Sequence, residues 1–119
     1  GGMFINSYDM ARFGYLFLRN GKWKEKQIVS EKWIAMARTP GSDNKTYGYA
    51  NWYLNTDRKP LPAAPETAVR FVGNGSHIIY IDRDDDRVAV FRWIRNDRAL
   101  NEVIAKVMAS MKTTTTAAQ

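Results

Sequence analysis

FVGNGSHIIYIDRDDDRVAVFRWI, Phe71 to Ile94, is the stretch on which the fold turns. It reads as a glycine-rich turn, a β-strand through Ile78, Ile79, Tyr80 and Ile81, an acidic loop and a second β-strand. In the loop, Asp82 to Asp86, the acidic side chains favour local bonds to the backbone. Its spacing lacks the glycine and distal glutamate of a calcium loop, so no metal site is expected there. Gly73 and Gly75 flank Asn74 just before the first strand. With no Cβ at either position the backbone can approach a ligand closely, and its open amides can bind an anion or a developing oxyanion. The stretch therefore predicts an antiparallel strand pair and the edge of a site.

On the N-terminal side, Asn6 or Ser7 can cap a helix in which Met10, Phe13, Leu16 and Phe17 recur at three and four residues, ending near Asn20-Gly21. Lys22 to Val29 is short and mixed, a hairpin or a loop that would present Trp23 and Ile28 to the core. Ser30 opens a second helix with Trp33, Ile34, Met36 and Ala37, closed by Pro40. Tyr47 to Leu54 is dense enough in aromatics for a strand or an aromatic wall. Asn55 to Thr67 holds Pro60, Pro62 and Pro65 and reads as an irregular linker, with a lid as the alternative. On the C-terminal side Asp97 can cap a last helix whose stripe is Leu100, Val103, Ile104, Val107, Met108 and Met111. Helix, helix, three strands and helix imply an α+β fold, an antiparallel β-sheet flanked by helices.

The 119 residues, 45% hydrophobic and 25% charged, fit one domain with a modest core. A domain over 1–112 with a disordered Thr/Ala tail at 113–119 is expected. Net charge is +6, but the Lys and Arg residues are scattered singly, so no nucleic-acid partner is expected. The absence of cysteine removes thiol catalysis, disulfides and Cys-based metal sites. No apolar run reaches the length of a transmembrane helix.

Residues 1–34, GGMFINSYDMARFGYLFLRNGKWKEKQIVSEKWI, are similar to a segment of the class C β-lactamase-related serine hydrolases. That segment begins with Gly-Gly, runs through S-x-x-D-M-A-R-F-G-x-L-x-L-x-x-G and continues to Q-I-(L/V)-S-x-x-W. Tyr47-Gly48-Tyr49 with Trp52 resembles the family's Y-G-Y-G-W strand. Gly73-Asn74-Gly75-Ser76-His77 and the strands after it resemble its G-N-G-G-(Q/N) strand pair. The resemblance covers residues 1 to about 110. It implies the C-terminal portion of a β-lactamase/transpeptidase-like fold.

The resemblance also implies a serine enzyme working through an acyl-enzyme. An upstream Ser-x-x-Lys supplies nucleophile and base partner, a Tyr-x-Asn or Tyr-x-Ser a second base, and a Lys-Thr-Gly-like strand the remaining wall. The first two elements normally precede the Gly-Gly and are missing here. The third survives: Gly75 and Ser76 take the catalytic rim and oxyanion role, and Gly73, Asn74, His77 and Tyr49 the substrate contacts. No Lys-Thr-Gly is present, so the lysine that would meet a β-lactam carboxylate has no counterpart. An ester, amide or peptide-like small molecule is the expected substrate, with no cofactor. A periplasmic or secreted location is slightly favoured by the resemblance.

Three look-alikes are set aside. Ser42-Asp43-Asn44-Lys45 satisfies Ser-x-x-Lys, yet that motif needs a helix to put both side chains on one face, and here it follows Pro40-Gly41 in a polar loop. Tyr49-Ala50-Asn51 and Tyr53-Leu54-Asn55 match Tyr-x-Asn in the wrong place. His77 is the single histidine and reads as a packing residue, with no Ser or Asp at fixed spacing. Ser76 lacks the Gly-x-Ser-x-Gly elbow. Two hypotheses follow: a serine hydrolase segment supplying one wall and one oxyanion donor, or a binding module that keeps the scaffold without the chemistry. Apolar surface left open by the missing part predicts self-association.

Overall fold

A computed structural model describes residues 2–118, with the side chains of Tyr53 and of 113–118 outside the described set. Helix α1, Ser7–Leu18, starts where Asn6 Oδ1 accepts the Asp9 N–H at 2.8 Å, and it stops where the Gly21 N–H reaches back to the Leu16 carbonyl. A small hairpin follows, β1 Lys22–Trp23 and β2 Lys26–Gln27. Helix α2, Glu31–Arg38, is capped by Ser30 Oγ on the Trp33 N–H. Strands β3 Tyr53–Leu54, β4 Val69–Gly73, β5 His77–Asp82 and β6 Arg87–Phe91 precede helix α3, Asp97–Ala118. Among the described residues no helix is long and apolar enough to cross a membrane.

The four strands form one antiparallel sheet in the order β3-β4-β5-β6. Side chains alternate between its faces. Val69 and Phe71, Ile79 and Ile81, and Val88 and Val90 face a core shared with Met10, Phe17 and Leu18 of α1 and Ile34 and Ala37 of α2. Val72, Ile78, Tyr80, Ala89 and Phe91 face a second core with Leu100 and Ile104 of α3 and with Leu61, Ala64 and Ala68. The chain is thus α+β, with helices on both faces of an antiparallel sheet. Burying each large apolar side chain contributes about 1.5–3 kcal/mol, so the two faces supply most of the stabilisation. Helix α1 lies so close to the sheet that a Cβ at Gly14 would stand 2.6 Å from Val88 Cγ1 and 2.8 Å from Ile79 Cγ2.

Several expectations are corrected. Trp23 and Ile28 are exposed, not core: the ribbon that carries them contributes to neither core, and the Trp23 ring stands edge-on to Tyr15. Most of Tyr47 to Leu54 is not strand. Gly48 and Asn51 close a tight turn by mutual backbone bonds, Asn51 Nδ2 is tied to the Ala37 carbonyl, and only Tyr53–Leu54 joins the sheet. The lead-in to the glycine turn is itself the strand β4. Asn96, not Asp97, caps α3, its Oδ1 accepting the Ala99 N–H at 2.9 Å.

Residues 55–67 are irregular, as expected, but anchored. The buried Asn55 amide donates to the carbonyls of Leu61, Ala64 and Pro65 and accepts the Leu61 N–H, which folds the loop over the second core. The α3 backbone runs to Ala118. The order of the side chains expected to fray at 113–119 lies outside the described residues.

Candidate functional site

Strands β4 and β5 are joined by Asn74, Gly75 and Ser76, with Gly73 paired to His77 across the base of the turn. Gly75 has φ +79° and Ser76 φ +55°, two consecutive residues in the left-handed region. Such a turn gathers backbone N–H groups on one side. Gly73, Asn74 and Gly75 are exposed and Ser76 is half-buried. Among the described residues the N–H groups of Asn74, Gly75 and Ser76 donate to no protein acceptor, while the Ser76 carbonyl accepts the Ile94 N–H at 3.3 Å. Three donors are therefore left for water or a ligand.

Beside the turn, on the α3 side of the sheet, lies a pocket of about 360 Å³. Val72, Ile78, Ile94 and Trp52 are its apolar lining; Ser76, Arg70, Arg95, Asn96 and Asp97 are its polar one. Arg70 stands on the pocket face because β4 alternates. Its guanidinium donates to both Asp97 carboxylate oxygens, at 2.8 and 3.0 Å. The Arg70 side chain is 2% exposed and Asp97 54%, so the pair joins the buried sheet to the solvent-facing first turn of α3. Arg95 is exposed and sets positive charge at the pocket rim.

The expected residues are only partly brought together. Ser76 lines the pocket, and Gly73, Asn74 and Gly75 form the turn above it. His77 packs on Trp93, ring centroids 4.4 Å apart and nearly perpendicular, and is absent from the pocket lining. Its Nδ1 is buried without a hydrogen-bond partner among the described residues. Tyr49 lies elsewhere, edge-on to Trp33 of α2 in a hollow with Met36, Ser42 and Asp43. Trp52 is the aromatic that shares a pocket with Ser76. Arg70, Arg95, Asp97 and Trp52 were not singled out as site residues by sequence. The signal for Arg70 was an arginine inside an alternating apolar strand, which demands a buried partner.

No nucleophile and base pair is assembled among the serines that precede α3. Ser7 Oγ accepts from Arg92, Ser30 Oγ from the Trp33 N–H, and the Ser42 hydroxyl bonds to Asp43. None of these, nor Ser76, hydrogen-bonds to histidine or lysine. Ser42-Asp43-Asn44-Lys45 lies in a non-helical loop, where Asn44 Oδ1 accepts the Thr46 and Tyr47 N–H groups. Comparison with protein-family models finds no match, and a search of curated proteins finds no similar one.

Proposed function

We propose that residues 1–112 form one wall of the acyl site of a serine hydrolase that cleaves a small ester or amide, with nucleophile and base donated by polypeptide outside these residues. The observation that carries the reading is the set of three unengaged N–H donors in the Asn74-Gly75-Ser76 turn, exposed beside a pocket with an apolar lining. When a serine oxygen attacks an acyl carbonyl, the carbonyl oxygen gains the negative charge. A fixed N–H within reach stabilises that charge by about 2.7–4 kcal/mol, and the nucleophile's own amide supplies the second donor. Collapse of the tetrahedral species expels the leaving group and forms the acyl-enzyme, which water then hydrolyses. Trp52 and Ile94 suit the acyl chain, and Arg95 suits an anionic end of the substrate. The motif resemblance to class C β-lactamase-related hydrolases supports the same role for this turn. The missing Lys-Thr-Gly favours ester or amide over β-lactam.

That none of Ser7, Ser30, Ser42 and Ser76 bonds to histidine or lysine favours a second reading for the 119 residues by themselves, that of a binding module without turnover. Both readings meet in one experiment. Incubation of this chain with p-nitrophenyl butyrate yields no ester cleavage and no acyl mass. A longer polypeptide carrying an upstream Ser-x-x-Lys yields both. In that polypeptide Gly75→Val lowers turnover at least about tenfold, the share of a single oxyanion donor being larger than that. The reason is local: φ is +79°, and a Cβ there would stand 3.0 Å from Trp93 and 3.2 Å from the His77 ring. Unchanged turnover in a folded Gly75→Val protein sinks the assignment.

A further inference from the structure

The sheet has an open side. In the order β3-β4-β5-β6 the last strand pairs with β5 alone, and among the described residues no further backbone bond engages Arg87–Phe91. An unpaired five-residue edge is a template for another strand. An apolar groove runs along each side of it. Tyr8, Ala11 and Tyr15 line one of about 410 Å³ toward α1, and Val107, Met108 and Met111 one of about 280 Å³ toward α3. Charge is divided between the two ends of the strand. Exposed Asp84, Asp85 and Asp86 precede it, and exposed Arg92 and Arg95 follow it.

We propose that β6 pairs antiparallel with β6 of a second copy, about a two-fold axis through Ala89. Directly opposed residues of an antiparallel pair must point to the same face, so a symmetric pairing is centred on a residue and never between two. Centring on Ala89 sets Val88 against Val90 of the second copy on one face and Arg87 against Phe91 on the other. It also sets Asp86 against Arg92, twice by symmetry. Centring on Val88 instead opposes Asp86 to Val90, and centring on Val90 opposes it to Ile94. The Val88 register opposes Asp84 to Arg92 and the Val90 register Asp85 to Arg95, while the Ala89 register sets Arg83 against Arg95 further out. Only the Ala89 register, however, opposes the two unlike charges that directly adjoin the strand, Asp86 and Arg92, and cross-strand charge pairs there favour it. Asp86 already accepts from Arg19, at 2.5 and 2.9 Å. A carboxylate has room for further donors, so it can hold Arg19 and Arg92 of the second copy together.

The inference is independent of the hydrolase reading, since association is measured without substrate. Sedimentation of the 119-residue chain from micromolar to millimolar concentration should show a monomer passing to a dimer, with the amides of Val88–Val90 gaining exchange protection as it does so. Arg92→Glu turns both charge pairs repulsive and should weaken association about tenfold. Arg92 is exposed and its side-chain bond to Ser7 is long at 3.4 Å, so the fold should survive the change. The double variant Asp86→Arg/Arg92→Glu restores opposite charges and should restore association. A chain that stays monomeric, an association constant that Arg92→Glu leaves unchanged, a double variant as weak as the single, or protection at Val88–Val90 that appears only with a different polypeptide would each overturn the proposal.

Discussion

Tyr80 is a residue at which the fold acts strongly on a proton equilibrium. It lies on the α3 face of β5, 4% exposed, and its hydroxyl donates to Asp82 at 3.1 Å. Burial first, then the neighbouring Asp82 charge and that hydrogen bond, raise the phenol well above its ordinary range. In the unfolded chain a tyrosine ionises near pH 10, about its model value. The folded-state pKa is the higher of the two. Stability contributed by Tyr80 is therefore complete below pH about 10 and is lost as pH rises beyond it. Alkaline denaturation followed by phenolate absorbance should show Tyr80 ionising together with unfolding. Tyr80→Phe should remove that proton from the transition; an identical alkaline profile in the variant would contradict the assignment.

At the scale of elements, the Arg70–Asp97 pair holds the start of α3 to the sheet. Arg70 of β4 reaches Asp97 in the first turn of the helix, and Asn96 caps that same turn. The acidic residue also suits the positive end of the helix dipole. Asp97→Asn keeps the shape but removes the charge that compensates a guanidinium 2% exposed. It should cost about 1.5–3 kcal/mol in urea denaturation, the range for hydrogen bonds to charged groups. A change within about 0.5 kcal/mol, typical of an ordinary surface substitution, would show that the clasp carries little.

Elements with strong periodicity were legible from sequence. Ser30 as a cap, both N-terminal helices, and the paired strands around Asp82–Asp86 were read from cap chemistry and alternation, while for the first cap sequence allows Asn6 or Ser7 and the Asp9 bond decides for Asn6. The Asp82 carboxylate accepts the Asp85 N–H, a local bond of the kind the acidic loop implied. Strand β4 was hidden because Gly73 and Gly75 gave Phe71 onward the look of a turn, and so Arg70 and its partner were hidden too. Asn96 and Asp97 are adjacent candidates for a cap, and only the bond to Ala99 separates them. Trp23 and Ile28 misled because apolar character says nothing about whether a second layer exists to cover it.

For the whole molecule, two helical layers on one sheet place the β4–β5 turn at the sheet end, clear of both cores. That position lets backbone donors stay open while Ile78 to Ile81 behind them are buried. Among the described residues the same architecture pairs β6 with β5 alone, so the open turn and the open edge fall at different margins of one sheet. Of the site, the turn was legible because glycine marks it. The pocket was not, because Trp52, Arg70, Ile94 and Arg95 come from separate segments that only the fold brings together.

Backbone amide NMR of the 119-residue chain, titrated with a phosphonate monoester as a tetrahedral anion, addresses the open turn most directly. The largest shifts are predicted at Asn74, Gly75 and Ser76, with smaller ones at Arg95 and at the Trp52 indole. Unmoved turn amides, or shifts confined to Arg12 of α1 and Arg19 just after it, would contradict the account.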